Sequence, residues 1–137
     1  MEGPMATVEL TKDNFNEVVG GNSTVIIDFW AEWCGPCKRF APTFEAISNE
    51  HEDIVFAKVN TEQQQELAGY FQIRSIPTLM VFRDQIGIFQ QPGAMPEHAF
   101  TDLIKQILEV DMDEVRQKLA AQEQTGEAGE AGEVGEA

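Results

Sequence analysis

Cys34 and Cys37 are the only cysteines among the 137 residues of the chain. They follow an apolar segment and precede a sequence with helical periodicity, which predicts that the pair lies at the start of a helix. Residues at positions i and i+3 there come within about 5–6 Å of each other, a separation compatible with a disulfide. Unpaired amides and the helix dipole at this end favour the thiolate, which is the form of cysteine that attacks disulfides. We therefore predict a redox-active pair.

Three other interpretations of the pair are half of a zinc site, a structural disulfide and an inert pair of thiols. Zinc needs two further ligands, and the only histidines, His51 and His98, are remote from the pair and from each other in the sequence. A bridge across two intervening residues closes a very small loop, so it would restrict the unfolded chain only slightly. The pattern favours redox chemistry over these alternatives.

The composition limits the classes of partner. Asp and Glu number 24 against 9 Lys and Arg, and the formal net charge is −15. This charge argues against binding to nucleic acids or anionic membranes, and the apolar runs, such as Val25–Ile27 and Leu79–Phe82, are far too short to span a bilayer. The acidic N-terminus resembles neither a secretory signal nor a transit peptide, so we expect a cytoplasmic protein.

Segments with strand character alternate with segments of helical periodicity. Strands are predicted at Val8–Leu10, Thr24–Trp30, Ile54–Val59, Thr78–Phe82 and Ile86–Gln90, the last two forming a hairpin. Helices are predicted after an N-cap at Thr11, over Cys34–Glu50 with a kink at Pro42, around Glu62–Phe71, and from Pro96 to Val110. This order predicts an α/β fold with parallel strands and one antiparallel hairpin. The cysteines would lie at the carboxyl end of a central strand, where open α/β sheets form their ligand crevices.

The C-terminal part of the chain differs in composition. Residues 111–137 contain eight acidic and two basic residues, and Met112, Val115 and Leu119 are spaced for a short helix over 111–124. Four Gly-Glu-Ala or Gly-Glu-Val repeats from Gly126 predict a flexible acidic tail over 125–137. We therefore divide the chain into a domain over 1–110 and an acidic extension over 111–137.

Several segments together resemble the thioredoxin family. Residues 28–38, DFWAEWCGPCK, are similar to its active-site segment, and Ile76-Pro77-Thr78 is similar to its proline loop. Lys58-Val59-Asn60 and Gly93-Ala94 also match, in order, over roughly residues 7–110. The resemblance implies the thioredoxin fold, with a central five-stranded mixed β-sheet flanked by helices on both faces. Ser75 and a hairpin turn that begins at Asp84-Gln85 depart from the family pattern, which has glycine at corresponding places.

The resemblance also implies a role for each matching residue. Cys34 would be the exposed nucleophile, and Cys37, more buried, would resolve the mixed disulfide. Asp28, with a raised pKa, would accept the proton of Cys37, and Lys58 would modulate it; the alternative is a strand-end acid paired with Lys58 for structure alone. Pro77 would be cis and face the cysteines. The substrate-binding surface would consist of Trp33, Gly35, Pro36, Ile76, Pro77, Gly93 and Ala94.

The implied function is that of an enzyme, a protein-disulfide reductase or redox carrier acting on disulfide-containing proteins. We expect no bound cofactor or metal, because the redox group is the cysteine pair and no nucleotide-binding fingerprint is present. NADPH would act only through a partner thioredoxin reductase. The alternatives are a binding or chaperone module that uses the same face, and a disulfide oxidase or isomerase. We expect a monomer without nucleic-acid or membrane partners.

Overall fold

The computed structural model describes residues 6–125 of the chain. Its five strands are β1 (Thr7–Glu9), β2 (Thr24–Trp30), β3 (Val55–Asn60), β4 (Thr78–Arg83) and β5 (Ile86–Pro92). Its five helices are α1 (Phe15–Gly20), α2 (Gly35–Ser48), α3 (Gln65–Tyr70), α4 (Glu97–Glu109) and α5 (Met112–Thr125). All the strands and helices predicted from the sequence are present, and Pro42 lies inside α2 as expected.

The strands form one mixed sheet in the order β1-β3-β2-β4-β5. β1, β3 and β2 run parallel, whereas β4 is antiparallel to both β2 and β5. Phe29, near the end of β2, pairs with Thr78 at the start of β4. The end of β2 and the start of β4 therefore meet at one edge of the sheet, which is the edge that carries the cysteine segment and the proline loop.

Helices cover both faces of this sheet, as the fold prediction requires. Val25, Ile27 and Phe29 of β2 pack in one core cluster with residues of α1 and α3. Ile26 points to the other face and packs with residues of α2 and α4. Because side chains alternate along a strand, Asp28 lies on the same face as Ile26. Burial on both faces explains why the sequence of β2 is apolar without alternation.

Helix α1 begins later than the sequence predicted. Thr11 was expected to be its N-cap, but the helix starts at Phe15 and is preceded by Asn14. The Asn14 side chain accepts a hydrogen bond from the Thr11 amide at 2.7 Å and donates one to the Glu9 carbonyl at 3.0 Å. These bonds hold residues 11–14 in a turn that competes with helix formation.

Helix α3 is shortened at its start for the same reason. The prediction began the helix at Glu62, whereas it begins at Gln65. The side-chain oxygen of Asn60 accepts hydrogen bonds from the amides of Glu62 and Gln63 at 2.9 and 3.2 Å. An asparagine at the end of β3 therefore forms a turn in place of the first helical turn.

The two-residue turn of the β4–β5 hairpin contains no glycine. Asp84 and Gln85 both adopt left-handed backbone conformations, with φ of 52° and 70°, as a two-residue type I′ turn requires. The Asp84 amide donates to the Ser23 carbonyl, and the Gln85 side chain donates to the Gly20 carbonyl, each at 2.8 Å. β5 continues to Pro92, two residues beyond the prediction.

The predicted helix in the C-terminal extension is present as α5. Its first residue, Met112, is buried, and Arg116 contacts Asp84 at the hairpin tip at 3.1 Å. Residues 126–137 of the predicted tail lie outside the described residues, so the tail and the division into domain and extension remain predictions. Within residues 6–125 no helix is long and apolar enough to cross a membrane.

Candidate active site

Cys34 stands at the junction between the central strand and α2. β2 ends at Trp30, and Cys34 has an extended backbone as the N-cap of α2. Its Sγ accepts a hydrogen bond from the Cys37 amide at 3.2 Å, which satisfies one of the unpaired amides of the first turn. Pro36 lies in that turn, where its missing N–H costs nothing. The predicted placement of the cysteine at a helix N-terminus is confirmed.

The two cysteines form a disulfide, with their Cα atoms 5.3 Å apart. Cys34 was expected to be exposed, but it is only 4% exposed, against 2% for Cys37. The expectation is wrong for this oxidised form, because the bridge turns the Cys34 sulfur toward Cys37 and into contact with its neighbours. Ala31 is part of the same buried cluster, and Trp30 and Ile76 pack against it.

The proline loop lies directly beside the disulfide. The Ile76–Pro77 peptide bond is cis, as expected from the sequence. The Ile76 carbonyl oxygen is 3.6 Å from the Cys34 Sγ. The Pro77 carbonyl accepts a hydrogen bond from the Gly93 amide at 2.7 Å. Gly93 has a φ of +103°, which disfavours residues with a side chain, so a glycine is required where the chain approaches the proline loop.

Most of the predicted substrate-binding residues lie at the surface of the protein. Trp33 is 68% exposed, which makes it the most exposed large hydrophobic side chain of the described residues. Of the others, Gly35, Pro36, Gly93 and Ala94 are exposed, Ile76 is half-buried and Pro77 is buried. Pro77 can therefore shape the loop, but it offers a substrate little side-chain surface.

Trp33 is held by a residue that the sequence analysis did not single out. Its indole Nε1 donates a hydrogen bond to the Glu62 Oε2 at 2.7 Å. Glu62 lies in the turn after β3, and the Asn60 side chain fixes that turn. The sequence held one signal for this contact, which is the position of each residue after a strand. Trp33 follows β2 and Glu62 follows β3, and the carboxyl ends of two neighbouring parallel strands meet at the same edge of a sheet.

Asp28 is an acidic side chain inside the core. It has no solvent-exposed surface, and neither carboxylate oxygen has a hydrogen-bond partner among residues 6–125. Burial raises the pKa of Asp28 from 3.8 to about 7, and the charge of Lys58 partly opposes this rise. The raised pKa predicted from the sequence is present, and it makes Asp28 able to exchange a proton near neutral pH.

Lys58 is the register partner of Asp28 on β3. Its Nζ nevertheless lies 4.0 Å from the Glu45 Oε2 and 5.0 Å from the centre of the Trp30 ring. Among the described residues, Lys58 forms no ion pair with Asp28, and Asp28 lies within β2 rather than at its end. The geometry therefore differs from the strand-end pair of the structural alternative, while the catalytic roles of both residues remain predictions.

The part of the chain that the structure describes contains no group of three or more His, Cys, Asp or Glu residues that could hold a metal ion. The zinc alternative thus gains no further ligands within residues 6–125. What the fold and the site define is a protein that exchanges thiols and disulfides, through a cysteine pair at a helix N-terminus beside a cis-proline loop.

Comparison with known proteins agrees with this geometry. The family model described as Thioredoxin matches residues 6–106. "Putative thioredoxin 2" of Streptomyces coelicolor is 57% identical over 118 residues, which cover 86% of this chain and 88% of that protein. The thioredoxin of Alicyclobacillus acidocaldarius is 36% identical over 105 residues, covering 76% of this chain and 100% of that protein.

A solved structure of Plasmodium falciparum thioredoxin superimposes with a TM-score of 0.69 at 35% identity, covering 73% of this chain and 98% of that one. The chain belongs to the thioredoxin family. It is a protein-disulfide oxidoreductase and a redox carrier that works by dithiol–disulfide exchange. The family uses disulfide substrates and a reductase partner and carries no bound cofactor, because its redox-active disulfide is part of the chain.

Proposed function

We propose that the chain works in the reducing direction, transferring two electrons to disulfides of other proteins and recovering them from a partner reductase that uses NADPH. The position of Cys34, which caps α2 with its sulfur beside the proline loop, supports the exchange chemistry, and the Gly35-Pro36 pair between the cysteines supports the reducing direction. Once the bridge is reduced, the Cys37 amide and the helix N-terminus are placed to stabilise a thiolate on Cys34.

In the first step, the Cys34 thiolate attacks one sulfur of the substrate disulfide. A bond forms between the Cys34 Sγ and that sulfur, the substrate S–S bond breaks, and the other substrate sulfur leaves as a thiolate. The substrate segment lies across the surface made of Trp33, Gly35, Pro36, Ile76, Pro77, Gly93 and Ala94. The hydrogen bond from Trp33 to Glu62 and the bond from Gly93 to Pro77 would keep two sides of this surface in place.

In the second step, Cys37 resolves the mixed disulfide. The Cys37 thiol gives its proton to Asp28, and the resulting thiolate attacks the Cys34 Sγ. The Cys34–Cys37 bond forms, the bond to the substrate breaks, and the second substrate sulfur leaves as a thiolate. A pKa of about 7 for Asp28 supports this role, because a base works best when its pKa is near the working pH. Lys58 modulates that pKa through its charge.

We further propose that the protein acts as a monomer in the cytoplasm, as a thioredoxin domain over residues 1–110 with an acidic extension over 111–137. The small number of cysteines supports this location. Sedimentation of the oxidised and reduced protein at several concentrations tests the monomer. An apparent molecular mass that reaches twice the monomer mass as the protein concentration rises would contradict the monomer.

The direction of transfer is tested by measuring the reduction potential of the Cys34–Cys37 pair against a glutathione redox buffer. A value more negative than the cytosolic glutathione pool is expected for a reductase. A value in the range of the oxidising catalysts of secretory compartments would indicate an oxidase instead. A parallel assay should show that the reduced protein loses two thiols for each substrate disulfide it opens, which a simple binding module would not do.

A further inference from the structure

A row of charged residues crosses the sheet on the face that α2 covers. In register across the strands, Glu9 of β1 pairs with Lys58 of β3, and Lys58 pairs with Asp28 of β2. Register partners in neighbouring strands project to the same face, so the three side chains lie side by side. Glu45 reaches this row from α2. One cation therefore has three acidic neighbours.

The position of the Lys58 ammonium shows which neighbour it contacts. It lies 4.0 Å from the Glu45 Oε2 and over the ring of Trp30, while Asp28 has no ion-pair or hydrogen-bond partner among the described residues. The Lys58 side chain is 17% exposed and the Glu45 side chain 41%. Glu45 therefore keeps part of its hydration in this pair, whereas a charged Asp28 would have to pair without any contact with solvent.

We propose that Glu45 is a positioning residue of the exchange reaction, which keeps the Lys58 ammonium against itself and the Trp30 ring and so leaves Asp28 unpaired and able to take the proton of Cys37. This inference rests on the proposed role of Asp28. It gives Glu45 a function that neither its exposed position nor its weak surface ion pair would suggest.

Removal of the Glu45 charge would lower the pKa of Asp28 through two separate effects. Lys58 would lose the partner that holds it and could approach Asp28, and one negative charge near Asp28 would disappear. Both effects stabilise the charged carboxylate, so the pKa of Asp28 should fall. The other charged groups at this face are Glu9 from β1 and Glu32 from the turn before α2, and the β4 register partner of Asp28 is the uncharged Leu79.

The test compares Glu45→Gln with a matched control, Glu9→Gln, which removes an equal charge from the same row without breaking an ion pair. The titration of the Asp28 carboxyl carbon is followed by NMR in the oxidised protein, where neither cysteine titrates. The Glu45→Gln midpoint should fall by about half a pH unit, as expected for loss of a partly exposed ion pair. Glu9→Gln should move it distinctly less, and Glu45→Asp, which keeps the charge, should retain most of the parent value.

A double-mutant comparison shows whether Glu45 acts through Lys58. In a Lys58→Met background, Glu45→Gln should shift the Asp28 midpoint no more than Glu9→Gln does. When the reaction starts from the reduced protein, the pH profile of mixed-disulfide resolution should shift among these variants in the same order as the Asp28 midpoint. Thermal melting of every variant verifies that the fold is intact.

Equal shifts in Glu45→Gln and Glu9→Gln, or a Glu45 effect that persists without Lys58, would overturn the proposal, because Glu45 would then be only one of several remote charges. The proposed role of Asp28 itself would be overturned by a different result, which is an Asp28→Asn variant whose pH profile of mixed-disulfide resolution is unchanged. The NMR titration does not depend on that role, so the two failures are distinguishable.

Discussion

At the scale of single residues, Asp28 links stability to pH. The unfolded chain loses this proton near pH 3.8, whereas the folded protein retains it up to about pH 7 because the carboxyl is buried. Between pH 3.8 and about pH 7 the folded state binds more protons than the unfolded state, so the free energy of unfolding falls as the pH rises through this range. Above about pH 7 it stays at the lower value. The difference between the two pKa values corresponds to about 4 kcal/mol as an upper limit.

Asp28→Asn should therefore be more stable than the parent at pH 8, by a few kcal/mol at most, and this advantage should shrink strongly at pH 4. Urea unfolding of both oxidised proteins at the two pH values measures it. A difference in unfolding free energy that is the same at pH 4 and pH 8 would show that the Asp28 carboxyl does not titrate in this range.

The same substitution should slow the chemistry. Without a proton acceptor for Cys37, resolution of the mixed disulfide near pH 7 should be slower by about 100-fold, and its pH profile should lose the inflection near 7. Stopped-flow measurement of the resolving step across pH 5–9 provides the comparison. Asp13→Asn, on the exposed turn before α1, serves as a control that removes one acidic charge and should behave as the parent does.

Replacement of each cysteine by serine should block the exchange reaction at a different step. Cys34→Ser should abolish disulfide reduction, because it removes the attacking thiolate. Cys37→Ser should accumulate a mixed disulfide through Cys34, since no second thiolate can release the substrate. Mass spectrometry of the adducts and a turnover assay separate these outcomes. Repeated turnover by Cys37→Ser at the parent rate would reverse the assignment.

At the scale of elements, the end of α3 contains a residue in an unfavourable conformation. The amides of Ile73 and Gln72 donate to the carbonyls of Ala68 and Gly69, each at 3.0 Å, in the pattern of a Schellman motif. Gln72 occupies its left-handed position with a φ of 57°, where glycine is usual. Gln72→Gly should stabilise the protein by about 1 kcal/mol, which corresponds to a rise in Tm of about 4 °C.

The matched control is Gln72→Ala, which also removes the exposed side chain but keeps the cost of the left-handed backbone. Thermal melting of the three proteins is sufficient. A Tm for Gln72→Gly no higher than that of Gln72→Ala would mean that the backbone at this position relaxes without cost.

The elements also show which parts of the structure a sequence can predict. β2 and α2 were found because an apolar run and a helical stripe are local patterns. The starts of α1 and α3 were placed too early, because one asparagine side chain before each helix forms competing hydrogen bonds. Local patterns also identified Asp28 and the cysteines with the help of the family resemblance.

Glu62 and Glu45 were missed because their roles depend on contacts between distant segments. Glu62 contacts Trp33 across 29 positions of sequence, and Glu45 contacts Lys58 from a different element. A surface glutamate on an amphipathic helix has no feature in the sequence that separates it from a solvated neighbour. The burial of Cys34 was also missed, since exposure of a sulfur depends on the oxidised geometry around it.

At the scale of the whole molecule, residues 126–137 should be dispensable for fold and activity. This segment holds four of the acidic residues and, apart from alanines and Val134, no apolar side chain that could join a core. A chain that ends at Thr125, where α5 ends, should melt within about 1 °C of the parent and reduce a protein disulfide at the same rate. A large fall in Tm or rate would show that the segment contacts the rest of the protein.

The central position of β2 has a consequence for local opening of the structure. This strand is paired on both sides, and its residues from Val25 to Phe29 have no exposed surface. Amides in such a strand exchange with solvent only when the whole domain unfolds, whereas loops and edge strands open far more often. Cys34 follows this strand after three residues, while Gly93 and Ala94 follow the edge strand β5. The reacting sulfur is thus attached to the part of the molecule that opens last, and part of the surface that receives the substrate belongs to a region that can adjust.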